Sequence, residues 1–283
     1  PIEKKPIFHL QPGSLSYSIA TPGCNFFCDF CQNSDIAQMP RERGGLIQGR
    51  DMGPAQLVAE ALAAGCRSLS YTYTEPTVFF ELALDTARLA RQKGLYNIFV
   101  TNGYMSPEAL DLLSEVLDAA NVDLKSFDPG FYEKYCQARL EPVKQNLKAI
   151  KERGILLEIT TLLIPGLNND AVLLDDMARF IANELGPETP WHISRFHPSF
   201  RMTDRGATSR ADLEAALKAG QKAGLHHVYI GNLPGHPSET TFCHKCGTVL
   251  VERSGYRAAA LLDPEGRCPG CGIRAHGLFN VKG

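Results

Sequence analysis

The sequence predicts an α/β fold: a partial (βα)6, TIM-like barrel followed by a small cysteine-rich unit. Strand patterns alternate with helix patterns six times along the chain, and such alternation gives parallel strands with crossover helices. Eight units would close a complete and typically larger barrel, so six indicate an open one. Two C-x2-C pairs then follow near the end. We place the barrel in residues 1–232 and the second unit in residues 233–283.

The elements follow in order along the chain. Strands are predicted at residues 15–20, in the SLSYTYT run ending at Thr74, at 97–100, 121–124, 156–164 and 191–196, with HHVYIG as a final short strand. Helices are predicted at residues 54–64, 78–93, from Ser106-Pro107 onward, and at 143–153, 171–185 and 211–223. The serine supplies a cap and the proline suits the first helical position.

Polar residues stand at the carboxyl ends of these strands, where parallel α/β folds gather their chemistry. They are Thr74 and Glu75 after strand two, Asn102 after strand three, Asp123 and Lys125 on strand four, Glu158, Thr160 and Thr161 on strand five, and His192, Ser194 and Arg195 on strand six. Each one alone could be a loop cap or a surface pair. Their recurrence at successive strand ends predicts a functional site.

Strand one leads into three cysteines, Cys24, Cys28 and Cys31, spaced C-x3-C-x2-C. Three close thiolates can hold three corners of a cuboidal iron–sulfur cluster and leave one iron without a protein ligand. A structural zinc site or a ferredoxin-like cluster is the alternative. A closed structural site normally needs a fourth ligand, and the following NSDIAQMPRERGG segment contains neither Cys nor His.

The stretch TPGCNFFCDFCQNSDIAQ, with Phe30 just before the third cysteine, resembles the defining motif of the radical S-adenosylmethionine (SAM) superfamily. Nearly the whole chain resembles the radical SAM members of the AmmeMemoRadiSam system, which are related to pyruvate formate-lyase activating enzyme. The stretches YTYTEPTVFFE, VTNGYMSPEAL, NVDLKSFDPGFYEKYC and IPGLNND carry this resemblance. It implies a 4Fe-4S cluster on Cys24, Cys28 and Cys31, whose open iron chelates SAM. It also implies reductive cleavage of SAM to methionine and a 5'-deoxyadenosyl radical.

The resemblance also implies SAM-binding roles. Glu75, in Tyr73-Thr74-Glu75, stands where the superfamily has Gly-Gly-Glu, and its role would be to hold the SAM amino group. Lys125, with Asp123, matches the DLK segment of glycyl-radical-enzyme activases and would neutralise the SAM carboxylate. A helix-start carboxylate and a structural ion pair are the respective alternatives.

Further SAM contacts are assigned with less support from the motif. Asn102, with Gly103, matches the TNG turn that lies near the ribose of SAM in the superfamily. An asparagine at this position could also serve only to stabilise the turn. Phe30 would stack near the adenine, or belong to the core. Thr74 and Thr160 are the other two residues expected to contact SAM. His192 reaches SAM or substrate if it faces the barrel interior, and a satisfied core histidine is the alternative.

The tail carries Cys243, Cys246, Cys268 and Cys271 in two C-x2-C knuckles, each followed by Gly, on either side of a predicted hairpin. This is the four-thiolate pattern of a zinc ribbon. A single iron or an auxiliary cluster would use the same cage, because thiolates alone do not select the metal. Cys66 and Cys136 fall outside these patterns and are expected to be thiols that bind no metal.

The formal net charge is only −2 and no long basic run occurs, which argues against nucleic acid as the main partner. No signal peptide or membrane-length apolar run is recognised, and cysteines in metal-ligand spacing suggest a reducing cytoplasm. We expect a radical SAM enzyme that takes electrons from a flavodoxin or ferredoxin. Its substrate is unidentified, with a protein or peptide as one candidate. The alternatives are a glycyl-radical-enzyme activase and a non-catalytic iron–sulfur electron carrier.

Overall fold

The computed structural model describes residues 1–233 and 237–279. Its main sheet contains seven parallel strands hydrogen-bonded in chain order, so β1 and β7 form its two edges. These strands are β1 (Ser16–Ile19), β2 (Ser68–Tyr71), β3 (Tyr96–Thr101), β4 (Ala119–Asp123), β5 (Leu156–Leu163), β6 (Trp191–Arg195) and β7 (Val228–Gly231). The predicted α/β architecture and open parallel sheet are therefore confirmed.

Six main helices alternate with the strands. They are α1 (Pro54–Ala63), α2 (Phe80–Gln92), α3 (Pro107–Ser114), α4 (Leu140–Glu152), α5 (Ala171–Phe180) and α6 (Arg210–Lys222). Ser106 caps α3 as predicted, because its hydroxyl accepts a hydrogen bond from the Ala109 amide at 3.2 Å. None of the helices in the described part of the chain is long and apolar enough to cross a membrane.

One strand is shorter than the sequence predicts. The run SLSYTYT suggests a strand reaching Thr74, but β2 ends at Tyr71. Tyr73 adopts a left-handed conformation, with φ of 69°, which an extended strand does not allow. The chain therefore turns at this tyrosine and presents Glu75 at the start of the next helical turn.

The strand register brings polar side chains from separate strands to one level of the sheet. Asp123 of β4 pairs in register with Thr160 of β5, Thr160 with His192 of β6, and His192 with Tyr229 of β7. Side chains at matched positions of neighbouring parallel strands point to the same face. This register explains why residues that are distant in sequence meet at one site.

The cysteine-rich unit forms a separate three-stranded antiparallel sheet of β8 (Thr241–Phe242), β9 (Val249–Ser254) and β10 (Arg257–Ala260). The predicted hairpin corresponds to β9 and β10. The loop predicted between the two units includes residues 234–236, which lie outside the described residues, so the boundary at 232/233 stays a prediction.

The N-terminal segment (residues 2–11) is held between the barrel and this unit. Its Phe8 and His9 amides donate to the Glu158 carboxylate of β5 at 2.9 and 2.8 Å. On its other side, the Leu278 amide donates to the His9 carbonyl at 2.7 Å. The segment therefore ties the two sheets together.

Candidate functional site

A cavity of about 460 Å³ lies at the carboxyl ends of the parallel strands. Its wall contains every residue of the predicted cluster and SAM site: Cys24, Cys28, Phe30, Cys31, Thr74, Glu75, Asn102, Asp123, Lys125, Thr160 and His192. The volume is typical of a small-molecule site. The sequence motifs, spread over some 170 residues, therefore converge on one cavity.

The cysteine loop contributes three thiols to the cavity wall. Cys28 is buried, whereas Cys24 and Cys31 are partly exposed. Burial, and then the Glu75 charge, raises the pKa of Cys24 to about 12. Thiolates are therefore costly here unless a cation compensates them, as cluster iron would. This donor set, three thiols open to a cavity, fits a cuboidal cluster with one iron free for a ligand.

Cys136, which reads as a plain thiol in the sequence, lies beside this loop. It is fully buried, and its carbonyl accepts the Phe27 amide at 3.0 Å. A side-chain hydrogen bond between Cys136 and Cys28, together with burial, raises the pKa of Cys28. No local sequence signal points to this contact, because the two residues are over a hundred positions apart.

Glu75 is buried and held by four donors. Its carboxylate accepts from the Thr77 amide and hydroxyl at 3.2 and 3.0 Å, from the Thr101 hydroxyl at 2.7 Å and from the Asn102 amide at 2.8 Å. Burial raises its pKa and these hydrogen bonds oppose the shift. Glu75 thus caps a helical turn, as the structural alternative requires, and lines the cavity as the SAM role requires.

Asp123 and Lys125 form an ion pair with a 2.9 Å separation between Oδ2 and Nζ. Burial alone would lower the pKa of Lys125, but the negative charge of Asp123 outweighs this effect and raises the pKa. Lys125 is therefore an ion-paired cation that lines the same cavity as the cysteine loop. Such a cation in a partly desolvated cavity would bind a ligand carboxylate strongly.

Asn102 joins the strand ends to the cysteine loop. Its side-chain amide donates to Asn25 Oδ1 at 2.6 Å, and its own Oδ1 accepts from the Tyr104 amide at 2.9 Å. Gly103 follows with φ of 72°, and a Cβ there would lie 2.7 Å from Val122 Cγ1. The predicted turn therefore needs glycine both for conformation and for space.

The side chains of His192 and Thr160 differ in whether they have a hydrogen-bond partner. His192 Nε2 lies 2.6 Å from Glu158 Oε2, and both side chains are almost fully buried, so His192 is a satisfied histidine that also lines the cavity. Thr160 Oγ1 is buried without a hydrogen-bond partner, a situation that a ligand in the cavity would correct. Phe30 is 3% exposed, and its ring centroid lies 5.6 Å from that of Phe131.

Several further cavity residues were not singled out from the sequence, and three of them are polar groups of the N-terminal segment and the sheet. Lys5 of the N-terminal segment, Asn121 of β4 and Tyr229 of β7 all line the wall. Lys5 lies in a short lysine pair that resembles solvated surface. Asn121 and Tyr229 lie within strand patterns. Only the inward alternation with Asp123 along β4 could have indicated Asn121.

The four C-terminal cysteines come together as predicted. The Sγ atoms of Cys243 and Cys271 lie 3.7 Å apart, and those of Cys246 and Cys268 lie 3.5 Å apart. All four lie within 4.8 Å of one another, and no other group of three potential ligands does so in residues 1–233 and 237–279. Hydrogen bonds with Thr248 lower the pKa of Cys246 to about 6. The cage can hold a metal ion through four thiolates.

Comparison with known proteins agrees with this geometry. The family model of the radical SAM superfamily matches residues 18–177. The uncharacterized protein MJ0808 of Methanocaldococcus jannaschii is 44% identical over 96% of this chain and 80% of its own. GTP 3',8-cyclase of Aquifex aeolicus is 26% identical over 87% of this chain and 81% of its own.

Among solved structures, a domain of pyruvate-formate lyase-activating enzyme from Bacteroides vulgatus superposes with a TM-score of 0.51 and 20% identity. The match covers 58% of this chain and 99% of that domain, and it supports the fold alone. The family match spans more than half of the chain and includes all three cysteines of the C-x3-C-x2-C motif. The chain belongs to the radical SAM superfamily, whose members are enzymes.

Proposed function

We propose that this protein is a radical SAM enzyme that binds a 4Fe-4S cluster through Cys24, Cys28 and Cys31 and acts on an unidentified substrate, with a protein or peptide as one candidate. The convergence of all eleven predicted site residues on one cavity carries this proposal. When bound, the cluster and SAM would supply a one-electron cleavage that yields methionine and a 5'-deoxyadenosyl radical.

The chain's own residues would bind and orient SAM. Lys125 offers a fixed cation for the carboxylate, and Asp123 keeps that cation in place at 2.9 Å. Glu75 offers an anion for the amino group, with its carboxylate fixed by donors from Thr77, Thr101 and Asn102. Opposite charges at separate points of the wall would orient an amino acid moiety in one direction.

The remaining wall would orient the nucleoside part and limit water. Phe30 provides an aromatic surface, and Thr74, Asn102, Thr160 and His192 provide polar groups. We assign zinc to the cage of Cys243, Cys246, Cys268 and Cys271, because four closed thiolates suit a structural tetrahedral site. A flavodoxin or ferredoxin is the proposed electron donor, and the cytoplasm the proposed location.

The test is anaerobic reconstitution with iron and sulfide, reduction with dithionite in the presence of SAM, and chromatography of the products. We expect 5'-deoxyadenosine and methionine from the wild type and from Cys66→Ala, and neither product from Cys24→Ala. A cluster that forms but neither binds nor cleaves SAM would refute the proposal and favour the electron-carrier alternative. If SAM is cleaved, deuterium transfer from labelled host metabolites or proteins into 5'-deoxyadenosine would identify the substrate.

An activase that generates a glycyl radical in a partner enzyme is the second candidate. The Asp123-Leu124-Lys125 segment supports it by its resemblance to activases. The C-terminal cysteine cage has no evident use in a minimal activase. A glycyl-radical signal in electron paramagnetic resonance, after mixing with glycyl-radical enzymes of the host, would establish this activity. Its absence with every such enzyme would exclude it.

A further inference from the structure

The N-terminal wall of the cavity contains a buried lysine that the proposed SAM site does not use. Lys5 is only 4% exposed and lines the cavity. Its Nζ donates to the Tyr73 hydroxyl at 2.9 Å. Among the described residues no carboxylate forms an ion pair with Lys5, whereas Lys125 in the same cavity is paired with Asp123.

A buried ammonium group without an anion is energetically costly. Burial accordingly lowers the pKa of Lys5, and the charge on neighbouring Lys4 lowers it further. The hydrogen bond with Tyr73 opposes this effect but brings no full negative charge. The Tyr73 ring also contacts the ammonium group, with 4.1 Å between Nζ and the ring centroid. An anion placed in the cavity beside Lys5 would offset the remaining desolvation cost.

The position of Lys5 is fixed by its surroundings. The backbone next to Lys5 is anchored because Asn121 Nδ2 donates to the Pro6 carbonyl at 2.8 Å. Tyr73 is held in its left-handed conformation while its carbonyl accepts from Asn33 Nδ2 at 3.0 Å. The cavity therefore presents the ammonium group from a rigid support.

Two buried acceptors on the same wall have no partner. Asn121 is completely buried and its Oδ1 receives no hydrogen bond. Glu3 is 5% exposed, and its Oε2 likewise has no partner, although its Oε1 accepts from the Gly13 amide at 2.7 Å. Unsatisfied buried polar atoms that line a cavity indicate a ligand or ordered water.

We propose that Lys5 binds an anionic group of the substrate, a carboxylate or a phosphate, while Asn121 Oδ1 and Glu3 Oε2 accept hydrogen bonds from donor groups of the same molecule. The inference rests on the proposed function, because it divides the cavity between SAM and a second ligand. It narrows the substrate to an anion with hydroxyl or amine donors. For a protein or peptide, the group would be a side-chain or terminal carboxylate, or a phosphorylated residue.

The experiment measures the reactivity of Lys5 in the full, anaerobically reconstituted protein with saturating SAM. Trace acetic anhydride acetylates neutral amines, and mass spectrometry compares the Lys5 peptide with that of exposed Lys93 as an internal control. Acetate, inorganic phosphate and chloride are compared at equal ionic strength. A bound anion favours the ammonium form, so we expect acetate or phosphate to slow acetylation of Lys5 several-fold, with Lys93 unchanged.

The two anion arms distinguish a carboxylate from a phosphate site. Equal Lys5 reactivity in all three salts would overturn the inference. So would protection by SAM alone that neither anion increases, because Lys5 would then belong to the SAM site. The assay does not depend on SAM cleavage, so failure of the proposed function and failure of this inference are separate results. Tyr73→Phe provides a second check, since removal of the hydroxyl partner should increase the protection by the effective anion.

Discussion

The two cysteine groups of this protein differ in what surrounds their thiols. Cys243, Cys246, Cys268 and Cys271 face one another within 4.8 Å and complete a four-ligand set among themselves. Cys24, Cys28 and Cys31 instead line a 460 Å³ cavity together with Glu75, Asp123 and Lys125. A closed set of four thiolates suits a structural metal, whereas three thiols beside a charged cavity suit a metal centre that must admit a ligand. We therefore propose that the cysteines of the first group serve stability and that those of the second group serve chemistry.

The two regions are nevertheless connected through the N-terminal segment. Arg253 of β9 is 7% exposed and donates to the Phe8 carbonyl at 2.6 Å and to the Thr241 hydroxyl at 2.7 Å. The Phe8 ring in turn packs edge-on against His192 with 4.7 Å between ring centroids. The cysteine-rich unit thus supports the wall of the cavity by direct contact.

Cys28→Ala is expected to have the largest effect on activity. Removal of one of three ligands should prevent stable cluster formation, so that iron content falls and no 5'-deoxyadenosine is detected. The cage should keep its metal, because none of its ligands is changed. Metal analysis and product chromatography measure both properties, with Cys66→Ala as the matched control. Retention of full cluster content and SAM cleavage in Cys28→Ala would mean that the trio is not the cluster site.

Cys268→Ala should produce the converse pattern. Loss of one cage ligand should remove the cage metal and unfold the small sheet, because a unit of this size depends on its metal. Limited proteolysis should then cleave within residues 241–279, while iron still binds at the trio. If Cys268→Ala keeps a stoichiometric cage metal and resists protease like the wild type, the comparison between a structural and a chemical site fails.

Arg253→Met tests the connection between the regions. The substitution keeps an unbranched apolar side chain but removes the guanidinium, which lies 4.1 Å from the Phe8 ring centroid and donates charge-assisted hydrogen bonds to buried acceptors. We expect the free energy of unfolding to fall by about 2–4 kcal/mol. Arg257→Met on the exposed face of neighbouring β10 is the control and should change stability by less than about 0.5 kcal/mol. Equal denaturation midpoints for the two variants would show that Arg253 does not support the interface.

The sequence predicts the regular parts of both regions better than the contacts between them. Helix α3 is recognisable from Ser106 and Pro107, and the cysteine groups from their spacing, because these signals are local. Strand alternation restricts His192 to one of the two faces of β6 but does not choose between them, and the register with Thr160 and Asp123 that decides it is visible only in the structure. Lys5 and Arg253 carry no such signal, because their burial arises only when the N-terminal segment folds between the two sheets. The early end of β2 has no local signal either, because nothing in the SLSYTYT run marks Tyr73 as left-handed.

The smallest expected effect concerns the pH dependence of stability near the interface. His227 is 6% exposed, with its ring centroid 4.6 Å from that of His9. Burial, and then the charge of His226, lowers the pKa of His227 to about 3. In the unfolded chain a histidine titrates near 6.5, so acid protonates the unfolded state first. The stability contributed by neutral His227 is therefore complete above about pH 6.5 and declines as the pH falls toward 3.

At pH 5 this decline amounts to about 2 kcal/mol for His227 alone. His227→Phe should remove the term, so that its unfolding free energy changes less between pH 7 and pH 5 than that of the wild type. His197→Phe, at an exposed position, should keep the wild-type slope. Denaturant unfolding at several pH values measures this dependence. Parallel pH profiles for the wild type and His227→Phe would show that His227 is not buried in its neutral form, and would assign the acid sensitivity of the protein to another group, such as the neighbouring His9, whose pKa burial also lowers.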